Sequence, residues 1–244
     1  MRELSLFTGC GGGLYASRIL GWRTVAMCER DPYCQDVLRA RQQDGTFDMC
    51  PIFDDVFSLD GTPWRGRVDV LTGGFPCQPF SVAGRRLAGE DPRDGWPHTA
   101  RLIGEVRPQI AFLENVPGLL TADGGRYFGR ILSDLAALGY DACWTVLGAA
   151  DVGAPHKRDR LWIYAYLPNA LRAGLQGLRR AEREPPQDPI SSFSCWWASE
   201  PDVGRVAHGV ARRGDRLRAL GNGQCPQSAV AAFLYLHAIA TRGV

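Results

Sequence analysis

Short apolar segments alternate with helical patterns from residue 4 to residue 166. The hydrophobic pattern predicts strands at residues 4–7, 24–28, 68–71, 110–113, 144–147 and 161–166. Amphipathic patterns predict helices at residues 14–20, 98–106 and 127–138, and a further helix that begins at Pro32 behind the capping residue Asp31. This alternation is typical of strands joined by crossover helices, so we predict an α/β fold with a mostly parallel sheet and helices on both faces.

The pattern changes after Tyr166. The next stretch combines scattered prolines and charges with the cluster at residues 191–197, and no period of two or of 3.6 residues persists in it. We predict an irregular insert there. A helical pattern returns from Leu217, with an apolar face formed by Ala229, Ala232, Phe233, Leu236 and Ile239. The pattern therefore separates the α/β part up to residue 166 from an irregular stretch and a helical C-terminal segment.

The composition is that of a globular protein. Of the 244 residues, 45% are hydrophobic and 22% are charged, which excludes a disordered or a collagen-like chain. No apolar stretch reaches the roughly 18 residues of a membrane span, and the first residues lack the apolar core of a signal peptide, so we expect a cytoplasmic protein with no membrane partner. The eight cysteines contain no Cys-x-x-Cys pair, which predicts reduced thiols and no metal site.

Arginine provides nearly all of the positive charge, because Lys157 is the only lysine. A GC-rich coding genome would produce this bias, and so would a need to bind phosphate groups, which the guanidinium group holds with two hydrogen bonds. The formal net charge is only +2. The composition therefore permits nucleic acid binding without requiring it.

A glycine-rich loop follows the first predicted strand. Its glycines would let backbone amides approach a ligand at the positive end of the next helix. Glu29 ends the second strand, where a carboxylate can accept hydrogen bonds from ribose hydroxyls. Together they predict a nucleoside-containing cofactor, although a tightly packed turn would also use glycines. The spacing differs from the Gly-x-Gly-x-x-Gly of NAD enzymes, which argues against a nicotinamide dehydrogenase.

Three further motifs contain residues that could take part in a reaction or bind an anion. Cys77 follows the third strand and Pro76, and is either a nucleophile or a buried structural cysteine. Glu114 ends the fourth strand, and is either a reactive carboxylate or a turn cap. Arg158 and Arg160 project to one face if their segment is extended, and form either an anion-binding pair or a solvated run of charges.

These motifs occur in an order that resembles the DNA (cytosine-5) methyltransferases. The matching segments are the Phe-x-Gly-x-Gly-Gly loop at residues 7–12, Pro-Cys at 76–77, Glu-Asn-Val at 114–116, the paired arginines Arg158 and Arg160, and Gly-Asn at 221–222. The resemblance runs from residue 4 to about residue 166 and again from about residue 205. The compact members found in phages and prophages are most similar.

The resemblance implies a Rossmann-like fold of the kind used by S-adenosylmethionine-dependent methyltransferases. Residues 1–166 would form the catalytic and cofactor-binding domain, and residues 205–244 would return to it. Two departures stand out. His156 replaces a glutamine that the family commonly carries, and the insert at residues 167–204 is far shorter than the family's usual target-recognition region.

The resemblance also implies a reaction, in which a methyl group passes from S-adenosylmethionine to C5 of a cytosine in duplex DNA and leaves S-adenosylhomocysteine. Cys77 would add to C6 of a flipped-out base, and Glu114 would hold N3 and donate a proton to it. The paired arginines would steady the base, Glu114 or a phosphate. The catalytic residues implied in this way are Pro76, Cys77, Glu114, Asn115, Arg158 and Arg160.

The implied cofactor site lies at the ends of the first strands. Its residues are Phe7, Thr8, Gly9, Gly11, Gly12, Glu29, Asp55, Val56, Gly74, Pro76 and Asn222. Glu29 would bind the ribose, Asp55 and Val56 the adenine, and Asn222 the methionine end, with Trp96 as an additional apolar wall.

The implied partner is double-stranded DNA, bound by a monomer. The loop at residues 80–95 would cover the site and contact DNA, unless it is an ordinary surface loop. The DNA-binding residues expected are Gln78, Ser81, Arg85, Arg86 and Arg93. A tRNA cytosine-5 methyltransferase and a catalytically silent DNA-binding protein remain as alternatives. The target sequence and any paired restriction nuclease are left open.

Overall fold

The computed structural model describes residues 1–76, 94–168 and 212–242. Its strands are β1 (Arg2–Leu6), β2 (Arg23–Cys28), β3 (Ile52–Phe53), β4 (Val70–Gly73), β5 (Ile110–Asn115), β6 (Asp141–Leu147) and β7 (Arg160–Tyr166). They form one sheet in the order β3-β2-β1-β4-β5-β7-β6. The strands from β3 to β5 are parallel to one another, whereas β7 runs antiparallel to both β5 and β6. The predicted α/β fold with a mostly parallel sheet is confirmed.

The helices in the described residues are α1 (Gly12–Ile19), α2 (Pro32–Gln43), α3 (Trp96–Val106), α4 (Arg126–Ala137), α5 (Arg213–Asn222) and α6 (Pro226–Arg242). The predicted cap of α2 is present, because the Asp31 carboxylate accepts a hydrogen bond from the backbone N–H of Tyr33 at 2.8 Å. The C-terminal helical pattern is divided in two. Gly223 is extended, with φ −64° and ψ 148°, and Pro226 begins α6.

Helices cover both faces of the sheet. Along β5, Ala111 and Leu113 belong to the core beneath α3 and α4, while Ile110 and Phe112 belong to the core beneath α1 and α6. This alternation follows from the two-residue period of a strand. The prediction that Ile239 belongs to the apolar face of α6 was wrong, because this side chain is 41% exposed. The other four residues of its predicted apolar face are buried.

The order of the strands determines where the motifs meet. After β1 the chain forms β2 and β3 on one side and then continues with β4 on the other side of β1. Ligands of open α/β sheets bind at such a reversal, beyond the carboxyl ends of the strands. The glycine-rich loop follows β1, residues 74–76 follow β4, and Glu114 is the next-to-last residue of β5, so all three reach this edge.

No helix in the three described stretches is long and apolar enough to cross a membrane. The same residues contain no group of three or more His, Cys, Asp and Glu side chains that could hold a metal ion. Nearly all of the insert predicted at residues 167–204 lies outside the described residues.

Candidate active site

The glycine-rich loop between β1 and α1 surrounds an open space. Phe7 and Gly9 both have positive φ, at 50° and 57°. The backbone N–H of Thr8 donates to the carbonyl of Cys28 at 3.1 Å, and its hydroxyl donates to the carbonyl of Ser5 at 3.1 Å. Apart from Gly9 itself and its two chain neighbours, no described residue has an atom within 4 Å of the position that a Cβ would take at Gly9. The loop is thus anchored at its base and accessible at Gly9.

Glu29 ties the end of β2 to this loop. One carboxylate oxygen accepts the backbone N–H of Gly9 at 2.6 Å, and the other accepts the N–H of Asp31 at 2.7 Å. A carboxylate offers about four lone-pair positions, so both oxygens retain capacity for hydroxyl donors. Glu29 also lines a cavity next to this loop. Its position suits the predicted ribose contact.

Two cavities adjoin the glycine-rich loop, and the larger of these two has a volume of about 280 Å³. It is lined by Phe7, Cys28, Glu29, Arg30, Asp54, Asp55, Val56, Phe57, Pro76 and Gly95. Apolar walls combined with the carboxylates of Glu29, Asp54 and Asp55 fit a nucleoside, which has a flat ring and sugar hydroxyls. Trp96 does not line this cavity, contrary to expectation. It is fully buried, its ring packs on Phe75, and its indole N–H donates to Asp134 at 2.8 Å.

The loop that carries Asp55 and Val56 is held by Arg101 of α3. The Arg101 guanidinium donates to the backbone carbonyls of Val56 at 2.7 Å and Leu59 at 3.0 Å. The carboxylate of Glu105, one turn further along α3, orients the same guanidinium at 2.8 Å. A charged donor that satisfies several carbonyls fixes the loop more firmly than single neutral hydrogen bonds would.

A smaller cavity of about 50 Å³ lies next to the glycine-rich loop. It is lined by Ser5, Leu6, Phe7, Thr8, Gly9, Gly13, Thr72, Gly73, Gly74, Glu114, Asn222, Gly223 and Gln224. A Cβ at Gly74 would come within 2.7 Å of a carboxylate oxygen of Glu114, so a larger residue there would displace this carboxylate. Gly9, Asn222 and Glu114 therefore face one common space, although they are far apart in sequence.

Glu114 and Arg160 form an ion pair at the carboxyl end of β5. The Arg160 Nε lies 2.7 Å from Oε1 of Glu114, and the two side chains are 21% and 12% exposed. Burial raises the pKa of Glu114 above its ordinary value, while the nearby Arg160, Gln224 and Arg158 oppose that effect. Burial and charge pairing thus act in opposite directions on this carboxyl group, and the net effect is a pKa above the ordinary value, which suits a group that transfers a proton.

Asn115 and Gly95 fix the two ends of the segment that contains Cys77. The Asn115 side-chain amide donates to the carbonyl of Phe75 at 2.9 Å. The backbone N–H of Gly95 donates to the carbonyl of Pro76 at 3.1 Å. A Cβ at Gly95 would lie 2.6 Å from Cδ of Pro76, so only glycine allows this contact.

Three sequence-predicted residues have surroundings other than those expected. Arg158 donates to the carbonyls of Gly221 at 2.7 Å and of Gly223, and so fixes the C-terminal end of α5. A Cβ at Gly11 would lie 2.5 Å from the ring of Phe47, and one at Gly12 would lie 2.5 Å from the carbonyl oxygen of Gln224. Neither glycine is among the residues that line the two cavities.

Some predicted site residues lie outside the described residues. They are Cys77, Gln78, Ser81, Arg85, Arg86 and Arg93. Their assigned roles stay predictions.

The structure adds residues that sequence reasoning missed. Gln224 reaches Glu114 from the connection between α5 and α6, Arg101 holds the loop at residues 55–59, and Gly95 lines the larger cavity. Gln224 stands two residues after the Gly-Asn motif, which is the one sequence signal that could have indicated it. Nothing in the sequence around Arg101 distinguishes it from an ordinary i, i+4 pair with Glu105.

Fold and site together define a class of protein. At the point where the strand order reverses, the sheet places a nucleoside-sized cavity near the ion pair of Glu114 and Arg160. This arrangement is suited to cofactor-dependent group transfer. The family of C-5 cytosine-specific DNA methylases matches residues 1–194, and the chain belongs to this family.

Several curated bacterial proteins are similar to part of the chain. It is 40% identical over 162 residues to the type II methyltransferase M.PspPI of Psychrobacter sp. (strain TA137), covering 66% of this chain and 38% of that protein. It is 38% identical over 174 residues to M.Eco47II of Escherichia coli, covering 70% of this chain and 40% of that protein. The chain thus spans about two fifths of the length of these relatives.

Solved structures show the same fold. A prophage-encoded protein of Escherichia coli, described as a DNA modification methyltransferase, superposes with a TM-score of 0.57 at 23% identity, covering 70% of this chain and 47% of that one. The S. pombe Dnmt2 methyltransferase superposes with a TM-score of 0.55 at 18% identity, covering 78% of this chain and 58% of that one. The chain therefore shares the fold of these methyltransferases.

Proposed function

We propose that the protein transfers a methyl group from S-adenosylmethionine to C5 of a cytosine in duplex DNA. The single observation that carries the proposal is the common space faced by Glu114 and the glycine-rich loop. A carboxyl group that can hold a pyrimidine and a loop that can hold the methyl donor must meet for this reaction. Membership of the C-5 cytosine-specific DNA methylase family supports the same conclusion.

Cys77 is the proposed nucleophile. Cytosine C5 is a poor nucleophile until a group adds at C6 and pushes electron density into the ring. The Cys77 thiolate would form a bond to C6, and the electron pair displaced from the C5–C6 double bond would become available at C5. After methyl transfer, loss of the C5 proton to a base would restore the double bond and expel the thiolate.

Glu114 is the proposed acid at N3. Its pKa, raised by burial, allows the carboxyl group to hold a proton that it gives to N3 as the thiolate attacks. Arg160 on Oε1 orients the group and stabilises the carboxylate left after proton transfer. Asn115 and Pro76 would fix the backbone next to Cys77 through their contacts with Phe75 and Gly95.

The residues around the two cavities fit S-adenosylmethionine, which supplies an electrophilic methyl group when bound. Glu29 would accept the ribose hydroxyls, and Asp55 and Val56 would border the adenine in the larger cavity. Gly9, Gly74 and Asn222 would border the methionine end in the smaller one. The open space at Gly9 is the structural observation that favours a bound group there.

DNA is the proposed substrate, and the target base must leave the helix to reach the site. Flipping costs a few kcal/mol, which contacts with the DNA backbone would offset. Arg85, Arg86 and Arg93 are the proposed backbone contacts, with Gln78 and Ser81 beside the base. Residues 167–204 would recognise the DNA target sequence. They lie between a catalytic domain at residues 1–166 and a segment at residues 205–244 that returns to this domain. We further propose that the protein acts as a cytoplasmic monomer.

Methyl transfer in vitro tests this proposal. The protein is incubated with S-adenosylmethionine labelled in the methyl group and with duplex DNA or tRNA. We expect label in 5-methylcytosine of DNA, none in tRNA, and none with Cys77→Ala, which should still bind S-adenosylhomocysteine in calorimetry. Label in tRNA alone would replace the DNA assignment. DNA binding without any transfer would favour a silent binder, and transfer by Cys77→Ala would refute the nucleophile.

A further inference from the structure

We propose that Gln224 is a positioning residue for Glu114, which it holds at the carboxyl oxygen opposite the one held by Arg160. The inference deepens the proposed function and rests on it, because it assigns Gln224 to the group that would protonate the base. Gln224 lies in the connection between α5 and α6, more than a hundred positions from Glu114 in the sequence.

The geometry gives each oxygen of Glu114 its own partner. The Gln224 side-chain amide donates to Oε2 at 3.4 Å, and Arg160 contacts Oε1 at 2.7 Å. The first contact is long, as catalytic hydrogen bonds often are before the substrate binds. A carboxyl group held at one oxygen can rotate about its last bond, whereas contacts from two elements restrict that rotation.

Three glycines make room for Gln224 between α1 and Glu114. A Cβ at Gly12 would lie 2.5 Å from the backbone oxygen of Gln224, and one at Gly13 would lie 2.6 Å from its side-chain oxygen. A Cβ at Gly74 would lie 3.3 Å from its side-chain nitrogen. The side chain thus runs from the start of α1 across Gly74 to Glu114, and any larger residue at these glycines would displace it.

The backbone before Gln224 is also fixed. Arg158 donates to the carbonyls of Gly221 and Gly223. Arg158 and Arg160 are neighbours at the start of β7, so one arginine holds the Glu114 carboxyl and the other holds the segment that delivers Gln224. This division of tasks explains why the two arginines point to different partners.

An amide suits this position because it has both a donor and an acceptor. Its N–H can donate to Oε2 when Glu114 is ionised, and its oxygen can accept when the carboxyl is protonated. Loss of the amide would remove a donor that favours the ionised form, in a site where Arg160 and Arg158 are the charged groups of the described residues that act on Glu114. The pKa of Glu114 should then rise.

Matched glutamine substitutions in one segment test the proposal. Gln224→Met keeps the volume and removes the amide, and Gln227→Met makes the same change at a buried position of α6 whose side-chain oxygen pairs with the Cys225 thiol. The Glu114 carboxyl is titrated by carbon-13 NMR, and kcat and KM for DNA are measured across pH. Gln224→Glu, which adds a like charge, is the second variant.

We expect Gln224→Met to lower kcat about tenfold, with a smaller change in KM for DNA. It should also raise the titration midpoint of Glu114 by about half a pH unit or more, and Gln224→Glu should raise it further. The alkaline limb of the pH profile of kcat should likewise move to higher pH. Gln227→Met should leave both quantities near the wild-type values.

An unchanged Glu114 midpoint in Gln224→Met would overturn the inference even if kcat fell, because a purely structural role predicts that pattern. Equal effects of Gln224→Met and Gln227→Met would overturn it as well. Failure of the proposed function has a different signature, since the wild-type protein itself would then transfer no methyl group to DNA. The titration measures the Gln224–Glu114 contact independently of that outcome.

Discussion

At the scale of single residues, the site depends on how one buried carboxyl group is balanced. Burial favours the protonated form of Glu114, and the ion pair with Arg160 favours the charged form. The sequence indicated both residues, because one ends an apolar strand and the other begins one. It did not indicate Gln224, since that contact depends on how the chain returns to the sheet after the insert at residues 167–204.

Glu114→Gln tests the residue scale. The amide keeps the shape of the side chain and removes its acidic proton, so we expect methyl transfer to fall at least about a hundredfold. Binding of S-adenosylhomocysteine, measured by calorimetry, should change little because Glu29 and the loop at residues 55–59 are untouched. Methyl transfer at the wild-type rate would show that N3 is protonated by another group.

At the scale of elements, α3 connects the two halves of the site. Its N-terminal neighbour Gly95 contacts Pro76, and its Arg101 holds the carbonyls of Val56 and Leu59. The helix was predicted from its amphipathic pattern, and the structure extends it to Trp96–Val106. Its role as a support was not predicted, because a hydrogen bond from a side chain to a distant carbonyl leaves no periodic signal in the sequence.

Arg101→Met tests this support. The substitution keeps the aliphatic stem and removes the donors, so the loop at residues 55–59 should lose its fixed shape and affinity for S-adenosylhomocysteine should fall about tenfold. Arg65→Met is the matched control, because the carbonyls to which Arg65 donates within the described residues are those of Gly104 and Glu105 at the end of α3. Equal affinities of the two variants in calorimetry would contradict the assignment.

At the scale of the whole molecule, the sheet follows from local patterns only in part. Strand positions and the parallel core were predictable from apolar runs and crossover helices. The antiparallel pairing of β7 with β5 and β6 was not predicted, because strand order depends on contacts between distant segments. The burial of Glu3 in β1 was not predicted either. Its side chain is 1% exposed and accepts hydrogen bonds from Ser17, Thr24 and Thr72.

Glu3 predicts a pH dependence of stability. Burial raises its pKa above the ordinary value of 4.5, so its contribution is fully present below pH 4.5 and is lost as pH rises through the folded-state pKa. Glu3→Gln removes this titration. The free energy of unfolding of the variant, relative to wild type, should therefore increase between pH 4.5 and pH 7.5. Urea unfolding followed by circular dichroism measures it, and a constant difference would contradict the prediction.

The central claim is the methylation of cytosine C5 in DNA, and base-resolution sequencing tests it most directly. The protein and its Cys77→Ala variant are expressed in a host without cytosine methylation, and the DNA of both cultures is sequenced for 5-methylcytosine. We predict a short motif that is methylated only with the intact protein, which would identify the target sequence as well. Unmethylated DNA from cells in which the intact protein is folded and binds S-adenosylmethionine would contradict the claim.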